Sequence, residues 1–575
     1  MRVSAVMMLL VAAAGVMGQE ADVPVVNTEQ GRISGQKEHS LKGATFYSYK
    51  SIPFAQPPVG ALRLKPPVEA PSWDGVRDGS VDPPSCIQVP IFSLFGGKND
   101  LIGSEDCLYL NVFTPSEPGS SRRDLPVMVF IHGGAFYCGS AGEYPPYVFL
   151  NHDVVLVVLQ YRLGMLGFLS TEDDVIPGNF GLLDQSLALR WVQSNIHHFG
   201  GDPQKVTIFG ESAGAASVNY HMLSPKSQGL FSQAIMQSGS ALSPWSYGWS
   251  YRKVAHHAGR ALGCADTKHS QDLLTCLQEA DAHKLTSILI DHFDYLSGPV
   301  ILAPRVDGDF LPAQPALLLK EGKQSRVPVI TGVTSHEGAL YGAQIYGNKS
   351  LRSELKDNFA TAGLSFLEIS PDDETPLDLA TRIFHHYLGG VNLEEENADQ
   401  VVQMLSDRGF VVGHEWVTRL HSKVAATYTY ELTYSGQLSL TNLFPGFTLD
   451  KKWVSHADDL IYMFHGGPLF TILPISTPED QRVRNIFTQL WVNFAATGSP
   501  TPDASLGFTW SPATCSTPNH LNINLTPSMV ENSRKEMMEF WATLPTKENL
   551  ILDPERVVFT EASENEIKQQ EREEL

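Results

Sequence analysis

Basic runs are missing from this sequence. None is longer than a pair such as Arg122-Arg123, and 63 Asp+Glu against 41 Lys+Arg leave the 575-residue chain at −22. A nucleic-acid partner needs a basic face to meet phosphate, so that class is excluded. Repeats of fixed period and heptad arrays are also absent, which removes solenoids and coiled coils. No cofactor tract is visible, and neither a metal nor a cofactor is expected. Charge is sparse at 18% and hydrophobic residues reach 42%. That balance belongs to a packed globular chain rather than a disordered one.

Long hydrophobic runs are missing beyond the N-terminus. The stretch from Asp153 to Leu169 is interrupted by Gln160 and Arg162, so no transmembrane segment is expected in the mature chain. The first 18 residues differ. Arg2 precedes an apolar stretch from Val3 to Met17, broken only by Ser4 and Gly15, with small residues before Gln19 and Glu20. This is the layout of a secretory signal peptide, residues 1–18, cut near Gly18. Delivery to an oxidising compartment suits the six cysteines, Cys86, Cys107, Cys138, Cys264, Cys276 and Cys515. They allow fifteen pairings; two short-range pairs, Cys86 with Cys107 and Cys264 with Cys276, are the simplest. Cys138 and Cys515 are then free or joined to each other. Asn348 and Asn524 head sequons that a lumenal chain can use.

Length alone suggests three or four domains at about 150 residues each, yet no linker divides residues 19–560. One large domain is expected, followed by an acidic tail, 561–575. Apolar runs without alternation, Leu125–Ile131, Asp153–Leu159, Lys205–Phe209, Val327–Ile330 and Tyr428–Leu432, read as strands buried on both faces. Helical segments such as Leu183–Asn195 lie between them. The expected fold is α/β: a mostly parallel, doubly wound central sheet with helices on both faces. Helical insertions are expected between Leu223 and Glu321 and between Tyr341 and Val424. Ligands of such sheets bind beyond the carboxyl ends of the strands.

Two of those ends carry chemistry. Gly210-Glu211-Ser212-Ala213-Gly214 follows one strand and precedes a segment that can start a helix. G-x-S-x-G in that context is a nucleophile elbow, with Ser212 exposed at a tight turn and glycines keeping the turn clear. His132-Gly133-Gly134-Ala135-Phe136 ends another strand. An oxyanion needs preorganised N–H donors, and Gly133, Gly134 and Ala213 are the candidates. A serine also needs a base and an orienting acid. Chain order in such folds is serine, acid, histidine. Glu337 follows the 327–330 run, with Asp307 as its rival; His456 is favoured as the base over His465. Ser455 and Asp458 form a capping-box pattern that would place His456 at a helix start. A neutral histidine base predicts activity rising through an ionisation near the ordinary value of about 6.5.

Together these residues resemble the type-B carboxylesterases of the α/β-hydrolase fold, a family that also holds cholinesterases, juvenile hormone esterases, some lipases and neuroligins. Glu105-Asp106-Cys107-Leu108-Tyr109-Leu110-Asn111, Tyr161-Arg162-Leu163-Gly164, Gly178 to Gln185 and the long stretch Phe199 to Gly214 carry the resemblance, which covers nearly the whole mature chain. It implies a serine esterase that forms an acyl-enzyme on a small-molecule ester. Its triad would be Ser212, Glu337 and His456, and its disulfides Cys86–Cys107 and Cys264–Cys276. A catalytically silent adhesion or ligand-binding member, like neuroligins, is the alternative; such members usually lack the serine and add a membrane span. Departures narrow the choice. The loop from Ile87 to Asp106 has Phe92 and Phe95 but no Trp, which argues against choline esters. Glu211 stands where juvenile hormone esterases usually have Gln, Ala135 replaces a third glycine, and Gln160 replaces a common Asn. The overall look is that of insect general or antennal carboxylesterases, acting on xenobiotic, odorant or lipid-like esters. The final Arg572-Glu573-Glu574-Leu575 resembles a retention address. It points to a retention-receptor contact and the endoplasmic reticulum lumen, with secretion as the alternative.

Overall fold

The computed structural model describes residues 23–90, 100–264, 269–293, 295–296, 298–514, 519–563 and 566. The expected leader, Phe92, Phe95, Cys515 and the terminal tetrapeptide lie outside them. The first strands in the chain are β1 (Val25–Asn27), β2 (Arg32–Ser34), β3 (Gln36–His39), β4 (Thr45–Pro53) and β5 (Val76–Asp78). The central ones are β6 (Tyr109–Thr114), β7 (Leu125–Ile131), β8 (Val155–Leu159), β9 (Gly201–Glu211) and β10 (Gln233–Gln237). The last are β11 (Val329–Thr334), β12 (Thr427–Leu432), β13 (His520–Ile523) and β14 (Ser528–Val530). β1, β2 and β5 form a small sheet; the other eleven form one sheet in the order β14-β13-β12-β11-β10-β9-β7-β8-β6-β4-β3.

From β8 through β7 and β9 to β13 every pairing is parallel. The two margins are antiparallel. This is the mixed, mostly parallel α/β sheet expected, and its winding reverses at β7: β8 is added on one side, β9 to β13 on the other. Side chains of β7 show why its run does not alternate. Val127, Val129 and Ile131 enter one core, shared with helices α1 (Phe180–Asn195) and α2 (Ala213–Leu223). Met128 and Phe130 enter a second core on the opposite face, with Phe487 and Trp491 of α3 (Pro478–Thr497). Both faces are apolar because both are covered.

The helical insertions need one correction. The stretch from Leu223 to Glu321 contains strand β10, whose three apolar residues sit between Gln233 and Gln237 and give too short a run to read. Helices Tyr251–Ala261, Ser270–Glu279 and Ala282–Ser287 follow it. Between β11 and β12 a second helical block packs a separate core around Ile383 and Leu405, which Trp541 joins from beyond β14. Among the described residues no helix is long and apolar enough to cross a membrane.

Candidate active site

Ser212 occupies the junction between β9 and α2, with φ 59° and ψ −123°. A positive φ on a side chain with a Cβ costs on the order of 1–3 kcal/mol and persists only where its surroundings impose it. They do: Ser212 N–H donates to Gln237 O at 2.9 Å, and Ser212 O accepts from Ala216 N at 3.0 Å. The flanking glycines are sterically required. A Cβ on Gly210 would lie 2.6 Å from Ile131 O, and one on Gly214 would collide with the same carbonyl. The N-terminus of α2, with Ala213 as its first residue, therefore lies directly behind the serine.

β7 delivers the second loop. A Cβ on Gly133 would lie 3.1 Å from the Ser212 Cβ, so this backbone abuts the elbow. Gly134 has φ 101°, and a side chain there would run into Cys138 O. Ala135 (φ 51°) and Phe136 (φ 63°) continue the left-handed path. Ala135 thus bears a conformation better suited to glycine. The loop is pinned by Tyr137 and Cys138 N–H groups donating to Gly134 O at 3.0 Å. His132 stacks on Tyr161 at 4.4 Å, and Tyr161 OH donates to His132 O at 2.9 Å. Burial pushes His132 down to about 4, so it is a neutral packing group.

Glu337 and His456 meet. His456 Nδ1 is 2.7 Å from Glu337 Oε2, with both residues buried. Glu337 Oε1 accepts from Ser238 Oγ at 2.6 Å and Thr334 N at 2.7 Å. The opposite ring nitrogen, His456 Nε2, lies 3.1 Å from Glu211 Oε1. That contact is close but not aligned for a hydrogen bond, since Glu211 Oε1 has no hydrogen-bond partner among the described residues. Ser212 Oγ likewise has none there, although Ser212, Glu211 and His456 line one cavity. Phe410 packs on the imidazole at 4.5 Å.

The electrostatics depart from the ordinary histidine value. Burial pushes His456 down, but Glu211, Glu337 and Asp459 outweigh it and hold the ring up to about 9. Burial lifts Glu211 up to about 8 against the opposing pull of His456. The two groups titrate as an interacting pair, and the ring loses its proton above the ordinary histidine range.

The rivals sit elsewhere. Asp307 Oδ1 accepts from Leu311 N at 2.8 Å and closes a local turn. His465, on the loop after Leu460–Met463, does not line the serine cavity. His456 is not at a helix start: the short helix begins at Leu460. Asp458 Oδ2 does accept from Ser455 N at 2.8 Å, but the Ser455 hydroxyl finds no partner among the described residues, so only half of the box forms. Asp458 also accepts from Leu440 N at 2.8 Å through its other oxygen. Cys86–Cys107 and Cys264–Cys276 are bonded, and Cys138 is a buried free thiol. Asn348 is exposed and Asn524 partly so; each side chain accepts from the N–H two residues on.

Sequence reasoning noted Gln160 only as a replacement for a common Asn and gave no role to Asp459. Gln160 bonds Pro84 O, Cys107 O and Ala141 N, tying the first disulfide loop to the segment after the glycines. Asp459 Oδ2 accepts from Gln237 Nε2 at 2.7 Å and Tyr430 OH at 3.2 Å, beneath the His456 turn. No local pattern marks either, because their partners come from distant segments. The remaining motif residues are structural, as in the buried pair of Arg162 with Asp184 at 2.7 Å.

A model of the carboxylesterase family matches residues 22–541. The chain belongs to that family. A carboxylic ester hydrolase of Bombus ignitus is 35% identical over 508 residues, 87% of this chain and 90% of its own. Venom carboxylesterase-6 of Apis mellifera is 34% identical over 547 residues, covering 92% and 96%. A juvenile hormone esterase of Tribolium castaneum is 37% identical over 511 residues, covering 84% and 85%. This carboxylesterase is a carboxylic ester hydrolase with the α/β-hydrolase fold. The two disulfides among the described residues suit the oxidising secretory pathway.

Proposed function

We propose that this carboxylesterase works by a serine mechanism, with Ser212 as nucleophile, His456 as base and Glu337 as the orienting acid. The observation that carries the reading is the 2.7 Å Glu337–His456 contact beside a strained Ser212 in one cavity. Ser212 Oγ attacks the ester carbonyl as His456 Nε2 takes its proton, which requires Nε2 to turn from Glu211 toward the serine. Active-site hydrogen bonds commonly tighten only with substrate in place. The oxyanion is held by the N–H groups of Gly133, Gly134 and Ala213. His456 returns the proton to the departing alcohol. Water, deprotonated by the same ring, then releases the acid. None of these steps calls on a metal or cofactor.

The cavity, of about 120 Å³, is walled by side chains such as Trp245, Val300, Phe410, Phe444 and Leu469. Apolar walls around so small a volume favour compact esters over long lipid ones. Nitrophenyl esters of rising acyl length should show kcat/KM falling beyond medium chains. Ser212→Ala should lose at least about 10³-fold in kcat and all labelling by a fluorophosphonate. Retained turnover in that variant would refute the mechanism.

A further inference from the structure

One charged side chain lines the cavity without joining the serine–histidine centre. It is Glu368, on the loop after the helical turn Leu364–Phe366. Its Oε2 accepts from Val300 N at 3.0 Å. Its Oε1 forms no hydrogen bond among the described residues and lies on the side of Gly298, a residue of the cavity wall, where an added Cβ would come within 3.1 Å of it.

The position is built rather than incidental. Glu368 has φ 49°, a left-handed backbone that a side chain adopts only under constraint. Arg408 supplies the constraint. Its Nε donates to Leu367 O at 2.9 Å and its Nη2 to Glu368 O at 3.1 Å. Arg408 belongs to the single turn Asp407–Val411, which also carries Phe410 against His456. One element therefore fixes both the catalytic ring and this carboxyl. Burial pushes Glu368 up to about 7; the Val300 N–H and the Arg408 charge oppose that. Tyr137 and Tyr341 face it from the cavity wall and feel its charge.

We propose that Glu368 is a specificity-determining residue: its carboxyl receives a hydrogen-bond donor at the remote end of the substrate, a hydroxyl or an ammonium group, in an otherwise apolar pocket. An apolar site with one placed acceptor discriminates by that acceptor, because a substrate lacking the donor leaves the buried carboxyl unpaired. The inference rests on the serine reading above.

The test compares matched nitrophenyl esters whose acyl chains, about three to eight carbons long, end in methyl, hydroxyl or ammonium. Alkyl acetates with the same three ends on the alcohol side complete the set. The readout is the ratio of kcat/KM for donor-ended over methyl-ended ester at about pH 8, where the carboxyl is ionised, in wild type, Glu368→Gln and Glu368→Leu. At the best chain length on one side, wild type should favour the donor about tenfold. Glu368→Leu should reverse that ratio. Glu368→Gln should keep the hydroxyl preference and lose the ammonium one. Ratios unchanged by Glu368→Leu at every length, on both sides, overturn the inference. Fluorophosphonate labelling of Ser212 in each variant separates the two levels. Labelling elsewhere sinks the serine reading, whereas labelling at Ser212 with unchanged ratios sinks the Glu368 inference alone.

Discussion

Glu211→Gln should move the pH dependence of this enzyme toward acid. A base must be neutral to accept the serine proton, so kcat/KM rises with pH as the histidine loses its own proton. The sequence predicts a rise near 6.5. The structure moves it upward, because Glu211, Glu337 and Asp459 outweigh burial and hold the His456 ring up to about 9. At 3.1 Å, one carboxylate stabilises an imidazolium by about 5 kcal/mol at an effective dielectric of about 20. That corresponds to at most about four pKa units. Glu211 spends part of the range protonated, and Asp459 and Glu337 remain, so the realised shift is smaller. A downward move of the rising limb by at least about one unit is expected.

The assay is kcat/KM of a short nitrophenyl ester from about pH 5 to 10, corrected for spontaneous hydrolysis. Wild type should rise between about 8 and 9, and Glu211→Gln nearer the ordinary histidine value of about 6.5. Glu211→Asp keeps the charge and should stay close to wild type, which separates charge from loss of packing. If the limb sits near 6.5 in wild type and does not move in Glu211→Gln, the argument from the Glu211 charge is wrong.

Further outcomes follow from the same geometry. Glu337→Gln should lower kcat by about 10³-fold or more with an unchanged circular dichroism spectrum, as for other orienting acids, whereas Asp307→Asn should stay near wild type. The opposite pattern would reassign the acid. Gly134→Ala should cut kcat by at least about 10²-fold, since φ 101° and the Cys138 carbonyl force the loop to shift and misaim its donors; a variant with normal kcat would clear Gly134 of that role. Replacing Cys264 and Cys276 together by Ser should lower Tm by several degrees. The loop they close spans a separation of 12 residues and is worth about 3 kcal/mol. An unchanged melt would count against the chain-entropy argument.

What the sequence disclosed follows from burial. β7, β8, β9, β11 and β12 stand out because both faces are covered and each carries a run of mostly apolar residues. β10 and β13 escaped because polar residues, Gln233 and Gln237 in one and His520 and Asn522 in the other, leave only short apolar runs. Gln237, at the end of β10, is buried and bonded to Asp459 and Trp491, a role that only the folded chain defines. The elbow and the glycine loop were legible because steric demands are local, and local demands leave local residue patterns. The carboxyl cluster was not. Glu211 registered as a departure from one branch of the family, and Asp459 did not register, since convergence of residues 211, 337, 456 and 459 has no sequence period.

Three buried carboxyl groups around one imidazole need a division of labour, and the hydrogen bonds supply it. Glu337 accepts from Ser238, Thr334 and His456, so its oxygens are committed and it can only hold the ring. Asp459 takes Gln237 and Tyr430 on one oxygen. Its other oxygen has no partner among the described residues, so it contributes charge from below rather than contact. Among the described residues Glu211 is the carboxyl that approaches Nε2, the nitrogen proposed to exchange a proton with Ser212. A carboxyl lifted by burial to about 8 is a poor permanent counter-ion but a serviceable resting partner. On the proposed mechanism it would stabilise the protonated ring between turnovers and yield Nε2 when an ester carbonyl reaches the elbow. The orienting acid and the resting partner therefore bind opposite ends of one imidazole, and substituting each should give distinct phenotypes: loss of rate for Glu337, displacement of the pH profile for Glu211.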